Sequence, residues 1–253
     1  MKLEGIIDVM EQLAPHETAL GFDNVGLLVG TRRKDIKKVL IALDCTAAVV
    51  NEAVSIGADL ILTHHPIMFS AIKRVLPDDP VSGIVYELIR NDIAMFAAHT
   101  NLDAAEGGVN TALCNVLGLE NIEIIPPENI MRIGSLKKEM MLDDFAALAE
   151  DRLGIKVQIS GENRCIKRVA VMGGAGGSDY ALAHQYGADV YLTGECKHSQ
   201  AVEASVLNLP IITAGHHQTE AVVLKPLMNY LKQRITGVEF LLSKANKPVF
   251  RNI

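Results

Sequence analysis

The chain has 253 residues, 49% of them hydrophobic and 21% charged, ample material for a buried core, which excludes intrinsic disorder. A net charge of −6 and an aromatic content of 4%, with no Trp, argue against a sequence-independent nucleic-acid binder, which needs a basic face and stacking platforms. The four cysteines, Cys45, Cys114, Cys165 and Cys196, are scattered without a CxxC pair, as expected of a cytoplasmic chain with reduced thiols.

The amino terminus reaches Glu4 at once and offers no apolar signal-peptide core. Its pattern predicts an amphipathic helix over about residues 3–14. Apolar runs then predict strands near 38–43, 59–63 and 93–98, with helices near 46–56 and 81–90 between them. Asn121 to Asn129, with Pro126 and Pro127, reads as a linker. A helix near 143–153 follows, then strands near 168–172, 189–193 and 210–214 with helices near 178–186 and 198–207. Pro226 interrupts any continuous helix from 217 to 234, and a helix–strand pair near 226–242 completes the pattern. The longest uncharged stretch, Ala204 to Thr219, contains Asn, Pro, two Thr and two His, so no membrane span is expected.

Two segments match at an offset of 130 residues. Lys37-Lys38-Val39-Leu40-Ile41-Ala42 followed by Gly57-Ala58-Asp59-Leu60-Ile61-Leu62-Thr63 recurs as Lys167-Arg168-Val169-Ala170-Val171-Met172 followed by Gly187-Ala188-Asp189-Val190-Tyr191-Leu192-Thr193. Helix–Gly–Ala–Asp–strand junctions are common in α/β proteins, but here the basic pair, strand, helix and junction all keep register, which points to a duplication. The strand runs are continuously apolar, as when both faces of a sheet are covered, and the crossovers imply parallel pairs. The expected fold is α/β, with two halves, 1–125 with 221–253 and 126–220. Each is expected to have a mixed, largely parallel sheet flanked by helices.

In open α/β sheets ligands gather beyond the carboxyl ends of strands. Strand 59–63 runs into His64-His65-Pro66, and strand 93–98 into His99-Thr100-Asn101-Leu102-Asp103. Strand 189–193 runs into Gly194-Glu195-Cys196-Lys197-His198, and strand 210–214 into Gly215-His216-His217-Gln218-Thr219-Glu220. Six of the eight histidines lie at these four ends. Just past a strand end, in a turn stiffened by Pro66, His64 and His65 can both reach neighbouring metals. His216 and Glu220 are four apart, which on a helical turn puts both on one face, and His99 and Asp103 share that spacing. A lone His-His-Pro is ordinarily a turn, and a lone His-x-x-x-Glu a surface pair; their joint occurrence at successive strand ends points to metal. Imidazole suits Zn, Fe, Ni or Cu, and carboxylate widens the range to Mn and Mg. Five or six candidate ligands exceed the needs of one tetrahedral ion, so two ions are expected. His16 and His184 read as exposed, and His217 as packing beside the site.

Gly21-Phe22-Asp23-Asn24-Val25-Gly26-Leu27, Leu62-Thr63-His64-His65-Pro66, Ala98 to Asp103, Leu192-Thr193-Gly194-Glu195 and Gly215 to Glu220 together resemble the NIF-three-like dinuclear metal-centre family. Its members are often labelled GTP cyclohydrolase I type 2 homologs. The resemblance covers nearly the whole chain, in order. It implies two intertwined α/β halves, a toroidal cytoplasmic homohexamer with metal sites facing an inner cavity, and His64, His65, Asp103, His216 and Glu220 as ligands of two ions. Glu220 would bridge them, with His99 beside this set. The ions would come from Zn, Fe, Mn, Ni and Co. The family usually has Trp where Phe22 stands, and the long central insertion of some relatives is missing.

Such a pair of ions supports hydrolysis by an activated water. Glu195, at the position matching His65 in the second repeat, is the candidate proton shuttle, with His198 as second choice. Gly173 to Ser178 follows a strand and opens a helix. Its amides could hold a phosphate, but the spacing fits neither dinucleotide nor P-loop patterns, and a tight strand–helix turn explains it as well. Three functions remain open: a metal-dependent hydrolase acting on a nucleotide-like or phosphorylated small molecule; a di-metal phosphatase, phosphodiesterase or peptidase; and a non-catalytic metal-bearing assembly.

Overall fold

A computed structural model describes residues 1–250. In chain order the elements are α1 (Leu3–Leu13), β1 (Gly26–Val29), β2 (Lys38–Ala42), α2 (Ala47–Ile56), β3 (Leu60–Thr63), α3 (Ser82–Arg90), β4 (Ala94–Ala97), α4 (Thr100–Ala104) and α5 (Val109–Leu117). They continue with β5 (Glu120–Ile124), β6 (Arg132–Met141), α6 (Leu142–Leu153), β7 (Gln158–Ser160), β8 (Cys165–Met172), α7 (Tyr180–Gln185), β9 (Val190–Thr193) and α8 (His198–Val206). The last are β10 (Ile211–Thr213), α9 (His216–Ala221), α10 (Leu224–Arg234) and β11 (Glu239–Leu242). The chain divides into two compact units, Met1–Leu102 with Leu224–Lys247, and Asp103–Val223 with the tail from Pro248.

The first unit holds a five-stranded sheet in the order β1-β4-β3-β2-β11. Four strands are parallel, and β1 runs antiparallel to β4. Leu40, Ala42, Ile61, Met95 and Ala97 face Val49, Val50 and Ala53 of α2 and Val85 and Leu88 of α3. Each such fully buried Val, Leu or Ile contributes about 1.5–3 kcal/mol. Thr46 caps α2 by accepting from the Val49 amide at 3.3 Å, and Gly57 ends the helix in the left-handed region, φ 64°.

The second unit holds a six-stranded sheet in the order β5-β6-β8-β9-β10-β7, with β8, β9 and β10 parallel and the other pairs antiparallel. Alternate residues serve opposite faces. Val169, Val171 and Leu192 pack with Leu113 and Leu117 of α5 and Phe145 and Ala149 of α6, while Ala170 and Tyr191 pack with Ala183 of α7 and Ala204 of α8.

The duplication is visible in matching hydrogen bonds. Asp59 Oδ2 accepts the amides of Lys37 at 2.7 Å and Lys38 at 3.0 Å; Asp189 Oδ2 accepts those of Lys167 at 2.8 Å and Arg168 at 2.7 Å. One carboxylate thus ties the start of each unit's first repeat strand to the start of the next.

Several elements were not expected from sequence. Asn121–Ile124, placed in a linker, belongs to strand β5, which pairs with β6, so the turn between the strands begins only at Ile125. Strand β5 is exposed along most of its length, which leaves little hydrophobic signal to read. Strands β1, β6 and β7 and helix α5 were not expected either. Residues 103–125, 221–223 and 248–250, expected with the first half, fall in the second unit, the first of these because α5 buries Leu113, Cys114 and Leu117 in that unit's core. Of the expected first half, 251–253 lie outside the described residues. Pro226 sits in the first turn of α10, where its missing N–H is tolerated, and the chain breaks just before, at Val222–Val223. No helix among the described residues is long and apolar enough to cross a membrane.

Candidate metal centre

In the first unit, three parallel strands end side by side in polar residues. Beyond β2 stands Asp44, beyond β3 His64 and His65, and beyond β4 His99. Adjacent parallel strands lie about 4.8 Å apart, so residues at their tips meet. The His64 and His65 ring centroids are 5.0 Å apart, those of His64 and His99 5.0 Å, and those of His65 and His99 5.5 Å. One potential ligand atom from each lies within 4.8 Å of the others.

The hydrogen bonds to these rings share one pattern. His64 Nδ1 donates to the Ala98 carbonyl at 2.9 Å, and since a carbonyl only accepts, the proton sits on Nδ1. His65 Nδ1 donates to Asp44 Oδ1 at 2.7 Å, and His99 Nδ1 to Asp23 Oδ1 at 2.9 Å. Each neutral imidazole is thereby set with its lone pair on Nε2, the arrangement that outer partners impose on metal-binding histidines. The turn at His65 is shaped by its amide donating to Leu43 O at 2.9 Å and by the Thr63 hydroxyl donating to His65 O at 2.7 Å.

Asp23 has a fully buried side chain. Burial alone raises its pKa, but donation from His99 and from the hydroxyl and amide of Thr100 outweighs this and holds it well below the usual carboxylate range. The motif around it forms a frame: Thr100 Oγ1 accepts from the Leu20 amide at 2.9 Å, and Asn24 Nδ2 donates to Met68 O at 2.6 Å. Phe69 stands edge-on to His99 at 5.4 Å while remaining 53% exposed, and Phe22 is 67% exposed. Sequence reasoning gave Asp23 and Asp44 no role. Asp44 lay within reach of the same strand-end test, since it follows strand 38–43, whose end was passed over.

In the second unit, β10 leads into His216, the first residue of α9. One helical turn on, Glu220 Oε2 lies 3.1 Å from His216 Nε2, the shared face that the spacing implied. Glu220 is buried, and Glu195, beyond β9, lies 3.3 Å from His216 Nδ1 through Oε1. Glu195 therefore stands to His216 as Asp44 stands to His65. His198 opens α8, exposed, and belongs to neither donor group. Asp103 is largely buried on α4, one turn beyond His99 in the chain.

Gly173 to Ser178 forms a tight strand–helix turn. The Gly173 amide donates to Asn110 Oδ1 at 2.7 Å and the Gly174 amide to Thr219 Oγ1 at 3.1 Å, so its first two N–H groups are already committed within the protein and are not offered to a phosphate. The glycines serve close approach instead. Gly174 has φ 62°, and a Cβ there would lie 2.0 Å from Glu220 Oε1 and 3.3 Å from His216 Nε2. The turn is a seat for the Glu220 carboxylate. The imidazoles set on Nε2 in the first unit, and the carboxylate held in a glycine cradle beside His216 in the second, are each donors of the types that divalent transition metals take.

A sequence profile described as Duf34/NIF3 (NGG1p interacting factor 3) matches residues 1–248. The chain belongs to the Duf34/NIF3 family. It is 37% identical to the "GTP cyclohydrolase 1 type 2 homolog" of Clostridium perfringens, covering 100% of both chains. Among solved structures it is similar to Staphylococcus aureus protein SA1388, with a TM-score of 0.93, 31% identity, and coverage of 100% of this chain and 99% of that one. A Bacillus cereus protein related to NIF3 matches with a TM-score of 0.91 at 26% identity, again covering 100% and 99%. These likenesses show that the two solved proteins share the α/β fold of this chain over its whole length.

Proposed function

We propose that this Duf34/NIF3 protein is a metal-dependent hydrolase that holds two divalent ions, drawn from Zn, Fe, Mn, Ni and Co. His64, His65, Asp103, His216 and Glu220 would ligate them, with Glu220 between the two. The observation that carries this reading is the common setting of His64, His65 and His99, each with Nδ1 tied to an oxygen so that Nε2 is the binding atom. When bound, such ions bring the pKa of a coordinated water down to about 7 and polarise the bond to be cleaved.

The chain's own residues do the rest. Asp44 and the Ala98 carbonyl keep His65 and His64 in the ligating tautomer. Asp23 does the same for His99, whose Nε2 is then the atom available to hydrogen-bond a substrate or carry a proton beside the ligands. Glu195, half-exposed against His216, is the group that moves a proton between the site and bulk water, with His198 farther out on α8 as the alternative carrier. The exposed rings of Phe22 and Phe69, on two segments tied together by Asn24, favour a flat, nucleotide-like ring over a simple phosphoester or peptide as substrate. That class agrees with the name carried by the Clostridium perfringens relative. The working form is a cytoplasmic ring of six copies, which light scattering would report as a mass six times that of the chain.

The test is a metal-loaded activity screen over nucleotides, phosphoesters and short peptides, with metal content measured beside it. We expect about two ions per chain, the number a bridged pair requires. Glu220→Ala is expected to release both ions and Asp103→Ala chiefly one. Glu195→Gln is expected to retain metal and lose turnover. At most one ion after metal-replete preparation would defeat the bridged pair, and undiminished turnover of Glu195→Gln would remove Glu195 from the mechanism.

A further inference from the structure

Asn110, on α5, is completely buried, and both ends of its amide are used. Oδ1 accepts the Gly173 amide at 2.7 Å, and Nδ2 donates to the Asp103 carbonyl at 3.4 Å. Only one orientation of the side chain satisfies both, because a backbone N–H can only donate and a carbonyl can only accept. Gly173 and Gly174 form the seat against which Glu220 lies: a Cβ on Gly173 would be 3.4 Å from Glu220 Cγ, and one on Gly174 would be 2.0 Å from Glu220 Oε1. One amide group therefore joins the peptide of Asp103 to the seat of Glu220, over a sequence separation that the backbone alone could not hold in register.

The Asp103 end is braced a second time. Arg132 is fully buried, and Nη2 donates to the carbonyls of Ala104 at 2.9 Å and Ala105 at 2.8 Å, directly after Asp103. Its Nη1 donates to Asn129 O at 2.5 Å and Ile130 O at 3.0 Å, which fixes the turn before β6 to the end of α4. With α4 pinned at its carboxyl end, a displacement of the Asn110 amide is felt at the glycine seat and not absorbed by α4.

We infer that Asn110 is a positioning residue that sets the distance between the Asp103 and Glu220 carboxylates, and so couples the affinities of the two ions. The inference rests on the reading of these two side chains as ligands of a metal pair. Asn110 meets neither substrate nor metal and acts only through the two segments it joins. Its effect belongs to the cooperativity and magnetic coupling of the pair, beyond its effect on stability.

The experiment loads full-length protein with Mn(II), measures stoichiometry and the two affinities against a competing chelator, and records the exchange-coupled electron paramagnetic resonance signal of the pair. Asn110→Asp keeps the acceptor for Gly173 and loses the donor to Asp103. It is expected to weaken one ion by roughly 10–100-fold, the usual effect of removing an outer-sphere partner, and to reduce the coupled signal. Asn110→Ala loses both bonds and is expected to weaken both ions. Ser82→Ala, which removes a buried hydroxyl in the first unit, controls for a general loss of stability and should leave metal binding unchanged at a comparable drop in melting temperature. Wild-type affinities and an undiminished coupled signal in Asn110→Asp would overturn the inference, as would a loss no larger than that of Ser82→Ala. A wild-type protein that binds at most one ion would instead overturn the metal-pair reading on which the inference stands.

Discussion

In the first unit the parallel strands β2, β3 and β4 end in Asp44, His64–His65 and His99; in the second, β8, β9 and β10 end in Gly173–Gly174, Gly194–Glu195 and Gly215–His216. The scaffolds beneath these ends are the same down to single hydrogen bonds, with Asp59 and Asp189 each accepting two amides from the preceding strand. What differs is how the strand ends are finished. The first unit presents imidazoles, each turned by an oxygen on Nδ1. The second presents one imidazole, His216, beside the Glu220 carboxylate, and clears space for that carboxylate with glycine. A duplicated framework can hold its backbone constant and still supply imidazoles at the strand ends of one copy and an imidazole paired with a carboxylate at those of the other.

The sharpest way to break this comparison is through glycine. Gly57 and Gly174 have nearly the same φ, 64° and 62°, but a Cβ on Gly57 would meet nothing within 4 Å, whereas one on Gly174 would meet Glu220 at 2.0 Å. Gly57→Ala is expected to cost about 1–2 kcal/mol, the left-handed penalty alone. Gly174→Ala is expected to cost about 1–3 kcal/mol more from the displaced neighbour, and to lower metal affinity as well. Denaturant titration of both variants checks this; equal costs would show that the seat can yield.

A smaller effect tests the scaffold itself. Asp59→Ala and Asp189→Ala each remove two accepted hydrogen bonds, and each is expected to destabilise by about 1–3 kcal/mol. Chemical denaturation giving values that differ by more than about 1 kcal/mol would mean that the two copies have come to depend on this carboxylate differently.

The smallest effect is chemical. Burial pushes the Cys45 thiol of the first unit up to about 12, with the Asp44 charge adding to it. Burial likewise pushes Cys114 of the second up to about 12 against the opposing pull of Arg132. Neither is expected to react with a disulfide reagent in the native protein at pH 8, while exposed Cys165, although desolvation and Glu139 push its thiol up too, is expected to react first. Labelling of Cys45 or Cys114 ahead of global unfolding would identify the unit that opens first.

The duplication, the strand–helix alternation and the strand-end location of the polar residues were legible in the sequence, because continuous apolar runs such as Val39–Leu43 and Val190–Leu192 end abruptly in polar residues. Strands β1, β5, β6 and β7 were not: β1, β5 and β7 pair at sheet edges where one side meets solvent, and the second half of β6 is polar and exposed. Helix α5 was missed although its Leu113, Cys114 and Leu117 are buried; it lies between a Gly-Gly pair and Gly118 and has no acidic start or basic end. Among the candidate site residues, His64, His65, His216 and Glu220 follow from residue type and spacing alone. Asp23 and Asp44 did not, since a carboxylate that orients an imidazole has no fixed spacing from it: Asp44 is 21 residues from His65, and Asp23 is 76 from His99. Glu195 was read as a proton carrier from its place in the repeat, and its contact with His216 became visible only in three dimensions.

The charges of Asp103 and Glu106 favour the charged form of Arg132, and what holds its guanidinium in place is hydrogen bonding to peptide carbonyls and the Thr111 hydroxyl. Such acceptors neither gain protons in mild acid nor attract a screening atmosphere as an anion would. The clamp it forms should therefore hold through changes of acidity and ionic strength that would slacken an ordinary ion pair, keeping the end of α4 anchored while surface charges around it come and go.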